Sequence, residues 1–264
     1  MQLLVSVRSA AEVESAVSGG ADVVDAKEPR NGSLGAVSMA TLTAIMRSVP
    51  ETVPLSIALG DVSHRAEVAQ AVAAIPTRRS CAPCYVKLGF AGVSSPRQVL
   101  ALLNEGRKAA RSHPTGLGVV AVGYADAELT GGIDPEQLCR AAVASGVTGV
   151  LVDTQVKSSG NLLTRMPLSA LTGLVADIQR NGLLAALAGS LEWKHLRLVA
   201  AARPDIVGVR RAACTGGRDG VVSRIRVQQL HRRLGAASDF VRNSVPNHVL
   251  GETPDGPANL SSLC

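Results

Sequence analysis

Charged side chains sit at the ends of three apolar, β-branched runs: Asp25 and Lys27 in Ala-Asp-Val-Val-Asp-Ala-Lys, Lys87 in Tyr-Val-Lys-Leu-Gly, and Asp153 in Leu-Val-Asp-Thr-Gln-Val-Lys, which ends at Lys157. Side chains on a strand alternate between faces, so Asp25 and Lys27 point the same way, and Lys157 also lies at an even spacing from Asp153. A lysine held out of water beside other cations loses hydration and feels repulsion. Both effects lower its pKa and free an amine to attack a carbonyl. Two carboxylates among three lysines limit the repulsion, orient the amines and move protons during carbinolamine dehydration and enolisation. For any one Asp-x-Lys the plainer account is an ion pair closing a strand end. Three strand ends carrying the same charges favour chemistry.

The elements around these residues alternate. Short β-branched runs recur about every thirty positions, most followed by an Ala/Leu-rich stretch of helical spacing. Strands are expected at Leu3 to Val7, Ala21 to Lys27, Pro54 to Gly60, Tyr85 to Phe90, Gly118 to Tyr124, Thr148 to Gln155, Leu183 to Ala188 and Asp205 to Arg210. Helices fit between them, for example Ser9 to Ser18 and Pro135 to Ala144, where Asp134 can cap and Pro135 suits the first turn. This pattern predicts a single α/β domain, a (β/α)8 TIM barrel over residues 1–235, with an open doubly wound sheet as the alternative. Residues 236–264 read as a flexible C-terminal tail, rich in Pro and Gly and without an apolar face.

In such a barrel the active site lies at the C-terminal ends of the strands, and side-chain layers come from alternate strands, so the second, fourth and sixth strands can share one layer. Two further segments suit a phosphate: Gly189-Ser190 after the seventh strand, and Gly208 with Arg210 at the eighth. Glycine lets backbone N–H groups approach an anion, and Arg210 would supply charge; a Gly-Ser pair alone is more often only a turn. The segment Pro29 to Gly35 reads as a loop over the mouth or an ordinary surface loop. Tyr124, Asp126, Asp61 and His64 rank below the lysines as rim residues. Cys81-Ala-Pro-Cys84 has the spacing of half a zinc site or a redox pair, but no second Cys/His pair is near, so no metal is expected.

Composition narrows the class. Of 264 residues, 46% are apolar and only 2% aromatic, so the core must be built from Ala, Val, Leu and Ile. A net charge of +6 admits nucleic acid as a partner, yet few aromatics are available for stacking and the basic residues are dispersed. An anionic small substrate explains the same sign. No apolar run reaches membrane-spanning length, and a cytoplasmic protein with reduced thiols is expected.

Taken together, DAKEPRNGSLGA (25–36), YVKLG (85–89), GYADA (123–127), LVDTQVK (151–157), LAGSL (187–191) and DIVGVRRAACTGGR (205–218) resemble the (5-formylfuran-3-yl)methyl phosphate synthase family, the furan-forming enzymes of methanofuran biosynthesis. The resemblance runs from residue 3 to about 234. It implies condensation of two glyceraldehyde 3-phosphate molecules into 4-(hydroxymethyl)-2-furancarboxaldehyde phosphate, with release of one phosphate and two waters and no cofactor. It makes Lys27 the Schiff-base lysine, Lys87 the proton acceptor, and Asp25, Asp153 and Lys157 the supporting charges. It also implies a homo-oligomer. The stretch Pro76 to Cys84, with Arg78-Arg79 and its paired cysteines, departs from the family pattern just before the Lys87 strand. Two other readings stay open on composition and spacing alone: another Schiff-base aldolase-type barrel acting on a sugar phosphate, and a non-catalytic barrel binding phosphometabolites or RNA.

Overall fold

Eight parallel strands close into a barrel: β1 (Gln2–Val7), β2 (Val23–Ala26), β3 (Leu55–Asp61), β4 (Cys84–Gly89), β5 (Leu117–Tyr124), β6 (Gly149–Asp153), β7 (Leu184–Leu187) and β8 (Ile206–Val209). The strands pair in sequence order, and β1 bonds to both β2 and β8, so no edge is left open. The computed structural model describes residues 1–243. Helices alternate with the strands: α1 (Ala11–Ser18), α2 (Met39–Ser48), α3 (Arg65–Ala73), α4 (Pro96–Ser112), the short α5 (Ala127–Thr130), α6 (Pro135–Ser145), the short α7 (Leu162–Arg165), α8 (Leu168–Arg180), α9 (Leu196–Ala201) and α10 (Arg224–Asn243). A small antiparallel hairpin, β9 (Cys214–Thr215) with β10 (Val221–Val222), lies between β8 and α10.

The helices start where their sequences supply a cap. Ser38, Ser95 and Asp134 each accept a hydrogen bond from a backbone N–H of the first turn, and Pro96 and Pro135 occupy first-turn positions whose missing N–H costs nothing. Outward-facing strand residues such as Val5, Val24, Ile57, Val86 and Val150 are fully buried against this ring. Burying one such side chain contributes roughly 1.5–3 kcal/mol, so the outer layer carries most of the stability. The inner layer is different. Ala58, Val122, Leu151, Ala186 and Ile206 form a thin cluster inside the barrel, and their modest volumes leave an axial cavity that opens at the mouth.

All eight expected strands are present, with ends that shift by at most two residues in either direction. Two departures matter. The expected tail boundary at 236 falls inside α10, which continues to Asn243 because Val227, Leu230, Leu234 and Ala237 keep a buried stripe at helical spacing; the rest of the predicted tail, 244–264, lies outside the described residues. Pro29 to Gly35 is no ordinary surface loop. It holds a 3-10 turn at Pro29–Asn31, and Ser33 Oγ is 2.7 Å from the Thr154 carbonyl and 2.9 Å from that of Gln155, while Leu34 is buried inside the barrel. The atypical stretch before β4 is secured by Arg78, whose Nη2 donates to the carbonyls of Val49 and Pro50 at 3.2 and 2.7 Å. No described helix is long and apolar enough to cross a membrane.

Candidate active site

The register of the barrel builds a ring of charge at one level. Asp25 on β2 pairs with Ser6 on β1 and Ser56 on β3, and Ser6 Oγ donates to Asp25 Oδ2 at 2.8 Å. From β4, Lys87 Nζ lies 2.6 Å from Asp25 Oδ1. Across the barrel, Asp153 ends β6 and its Oδ1 accepts from Lys157 Nζ at 2.7 Å. Lys157 stands in a 3-10 turn (Lys157–Ser159) that folds it back, and its ammonium also donates to the carbonyl and hydroxyl of Thr154. Lys27 follows β2 directly, its backbone N–H bonded to the Val7 carbonyl at 3.0 Å. All five charged residues line the cavity.

The lysines are not equivalent. Lys87 and Lys157 each have a carboxylate at bonding distance, whereas no hydrogen bond or ion pair joins the Lys27 ammonium to another described residue. Burial depresses the Lys27 pKa most. The charges of Asp153 and Asp25 pull it back up and those of Lys87 and Lys157 push it down, leaving it at about 8. At pH 7 about a tenth of that amine is neutral, against roughly one part in three thousand for a lysine of ordinary pKa. Burial alone would raise the pKa of both aspartates. Lys87 and Lys27 outweigh it at Asp25, and Lys157 and Lys27 at Asp153, so both carboxyls are held below their usual range. Reductive trapping of an aldehyde on the protein is therefore expected to rise with pH through a midpoint near 8, because the reactive neutral amine dominates above that value and is protonated below it. A profile that climbs only above pH 10 contradicts this assignment.

The loop carrying Lys157 is held by a buried network. Asp126 is fully buried and accepts from the backbone N–H groups of Gln155 and Val156, both at 2.8 Å. Gln155 Nε2 reaches Asp61 Oδ2 at 3.2 Å, and Tyr124 Oη donates to Asp61 Oδ1 at 2.7 Å. Burial first, and then the Asp61 charge, push the Tyr124 phenol well above its ordinary value, so it stays a donor. These rim residues brace the sixth loop and are not among those that line the cavity; His64 lies away from it, exposed at the start of α3.

All four residues expected at a phosphate line the cavity. Gly189 has φ 113°, and a Cβ there would come within 3.1–3.2 Å of Thr154 and Leu162. Ser190 has φ 49°, uncommon for a residue with a side chain and a mark of local strain. Gly208 faces Ala188 across β7 and β8. Arg210 is engaged within the protein. Its guanidinium forks onto Glu12 at 2.6 and 3.0 Å and donates to the carbonyls of Ser6, Arg218 and Gly220. All five of its N–H donors are thereby used and none is left for an anion. Breaking this buried pair with Arg210→Ala is expected to cost about 3–5 kcal/mol in urea unfolding, since Glu12 would be left uncompensated; an unchanged unfolding midpoint contradicts that role. Arg211 and, from the hairpin, Arg218 also line the cavity; the motif that ends at Arg218 did not mark it as a ligand.

Cys84 begins β4, where burial pushes its thiol up to about 11. Among the described residues no group of three His, Cys, Asp or Glu is placed to hold a metal ion. The arrangement suits covalent amine chemistry: a partly neutral lysine buried in the barrel cavity, two flanking ion pairs that can shift protons, and cationic loops for an anionic substituent.

Comparison with known proteins bears on which reaction this is. The family model for 4-HFC-P synthase matches residues 3–231. The chain is 36% identical over 217 residues to the (5-formylfuran-3-yl)methyl phosphate synthase of Methanococcus maripaludis strain C7, covering 82% of this chain and 91% of that protein. It is 34% identical over 236 residues to the synthase of the same name from Methanothermobacter thermautotrophicus, covering 89% and 99%. Among solved structures, phosphoribosylanthranilate isomerase from Pyrococcus furiosus superposes with a TM-score of 0.56 at 16% identity, covering 89% of this chain and 99% of that one, and 3-hexulose-6-phosphate synthase with 0.54 at 17%, covering 90% and 99%. These likenesses establish the barrel fold only. The family match spans nearly the whole barrel and includes every lysine and aspartate of the charged ring, so the chain belongs to the 4-HFC-P synthase family, the (5-formylfuran-3-yl)methyl phosphate synthases.

Proposed function

We propose that this chain condenses two molecules of glyceraldehyde 3-phosphate into (5-formylfuran-3-yl)methyl phosphate, releasing one phosphate and two waters, as a step in methanofuran biosynthesis. Lys27 is the nucleophile. Its neutral amine adds to the carbonyl of one triose phosphate and loses water to give an iminium, which acidifies the adjacent carbon. Lys87 passes a proton to Asp25 and, as the neutral amine, accepts the proton released there, and Lys157 with Asp153 balances charge as phosphate is eliminated and the carbon–carbon bond to the second triose forms. Ring closure and dehydration then give an aromatic product, which drives the final steps, and hydrolysis of the iminium frees the aldehyde and returns the amine of Lys27. No cofactor is needed, because the iminium itself serves as the electron sink.

The observation that carries this reading is the contrast within the charged ring: Lys27 alone among the three lysines lacks a bonded carboxylate and has a pKa near 8, while ion pairs flank it. The test is to incubate the purified protein with glyceraldehyde 3-phosphate alone. The expected result is a conjugated, ultraviolet-absorbing aldehyde of the furan phosphate mass, formed with one equivalent of inorganic phosphate. Formation of a non-aromatic aldol product would instead assign an ordinary Schiff-base aldolase reaction.

A further inference from the structure

The hairpin after β8 is built to carry one side chain over the mouth. Its tip runs Gly216-Gly217-Arg218-Asp219-Gly220, and Gly216 and Gly217 have φ 79° and 80°, a left-handed turn that residues with a Cβ resist. Arg210 fixes this tip from below, donating to the carbonyls of Arg218 at 3.1 Å and Gly220 at 2.7 Å. Glu12, which anchors Arg210, also accepts from the N–H of Val222 at 3.4 Å. The backbone of residue 218 is thus held on both sides.

Its side chain crosses the mouth. Arg218 is half-buried and lines the cavity, and its Nη2 donates to the Gly32 carbonyl at 2.8 Å, joining the eighth loop to the second. Burial lowers the Arg218 pKa, and of the charges around it that of Asp153 opposes this most. Among the described residues that carbonyl is the one hydrogen-bond partner of its guanidinium, which has five donors in a fork that fits phosphate oxygens. Three lysines and three arginines line the cavity against two aspartates; with Arg210 paired to Glu12, an excess of positive charge suited to dianions remains.

We propose that Arg218 is the residue that recognises the phosphate of the triose, exchanging its bond to the Gly32 carbonyl for phosphate oxygens and drawing the hairpin over the mouth. This rests on the phosphorylated substrate assigned above. Arg210 is then a positioning residue for Arg218 and does not touch the anion.

Calorimetric titration of the full chain with inorganic phosphate tests this without any step at Lys27. Arg218→Gln is expected to weaken phosphate binding about tenfold to hundredfold, with Arg218→Lys falling between because it keeps the charge and loses the fork. The preference for borohydride trapping of glyceraldehyde 3-phosphate over unphosphorylated glyceraldehyde should fall by a similar factor in Arg218→Gln. Equal phosphate affinity in wild type and both variants, or no phosphate binding by the wild type, overturns the proposal, as does an unchanged trapping preference. Weakened phosphate binding in the variants, with no trapping of either aldehyde by wild type, sinks the Lys27 reading and leaves Arg218 in place.

Discussion

Lys27→Ala is expected to lower turnover of glyceraldehyde 3-phosphate by about 10⁴-fold or more, since removing a covalent nucleophile takes away every step that depends on it. The same substitution should not lower stability by much. Lys27 is buried with no bonded carboxylate, so the fold bears the cost of keeping an ammonium there, and losing it offsets much of the lost packing of its alkyl stem. The combination is diagnostic: steady-state kinetics show near-complete loss while the urea midpoint stays within the range of ordinary surface changes. A variant that unfolds easily but turns over at a tenth of the wild-type rate would mark Lys27 as structural.

Lys87→Met should separate the two chemical roles. Its methylene stem is matched in volume, but the amine 2.6 Å from Asp25, which accepts the proton from the carbon next to the iminium once its own has passed to Asp25, is gone. Turnover is expected to fall about 10²–10⁴-fold, the usual contribution of a positioned acid or base. Lys27 should still form a trappable adduct, because its amine is untouched. The pH midpoint for trapping should move upward, since Lys87 is one of the two cations that depress the Lys27 pKa. Mass spectrometry of borohydride-treated Lys87→Met measures both effects. Loss of the adduct together with loss of turnover would make Lys87 essential for imine formation itself.

Much of this site could be read from the chain because its members sit on regular elements. The alternation of β2 places Asp25 and Lys27 on one face, and the alternate-strand layering of the barrel brings Lys87 and Asp153 to the same level. Lys157 reaches Asp153 for a different reason than its even spacing implied: it lies past the strand, at the start of a 3-10 turn, where the chain has left the strand direction and the side chain returns to the strand end. The engagement of Arg210 was not legible because its partner is distant. Glu12 and Arg210 are 198 residues apart, and nothing local to either shows that they meet. Without that pair, Arg210 at the end of β8 looks free and Arg218 looks like part of a glycine-rich surface turn. The C-terminal boundary failed in a similar way, since the apolar stripe that extends α10 to Asn243 is sparse and becomes visible only against the helix and strand surfaces it covers.

The most direct measurement is peptide mapping of wild-type protein reduced with borohydride in the presence of glyceraldehyde 3-phosphate at pH 8. A single adduct on the peptide containing Lys27 is the predicted outcome. Label on Lys87 or Lys157 with Lys27 unmodified, or no label under conditions where furan product still forms, would contradict a covalent role for the unpaired lysine of the ring.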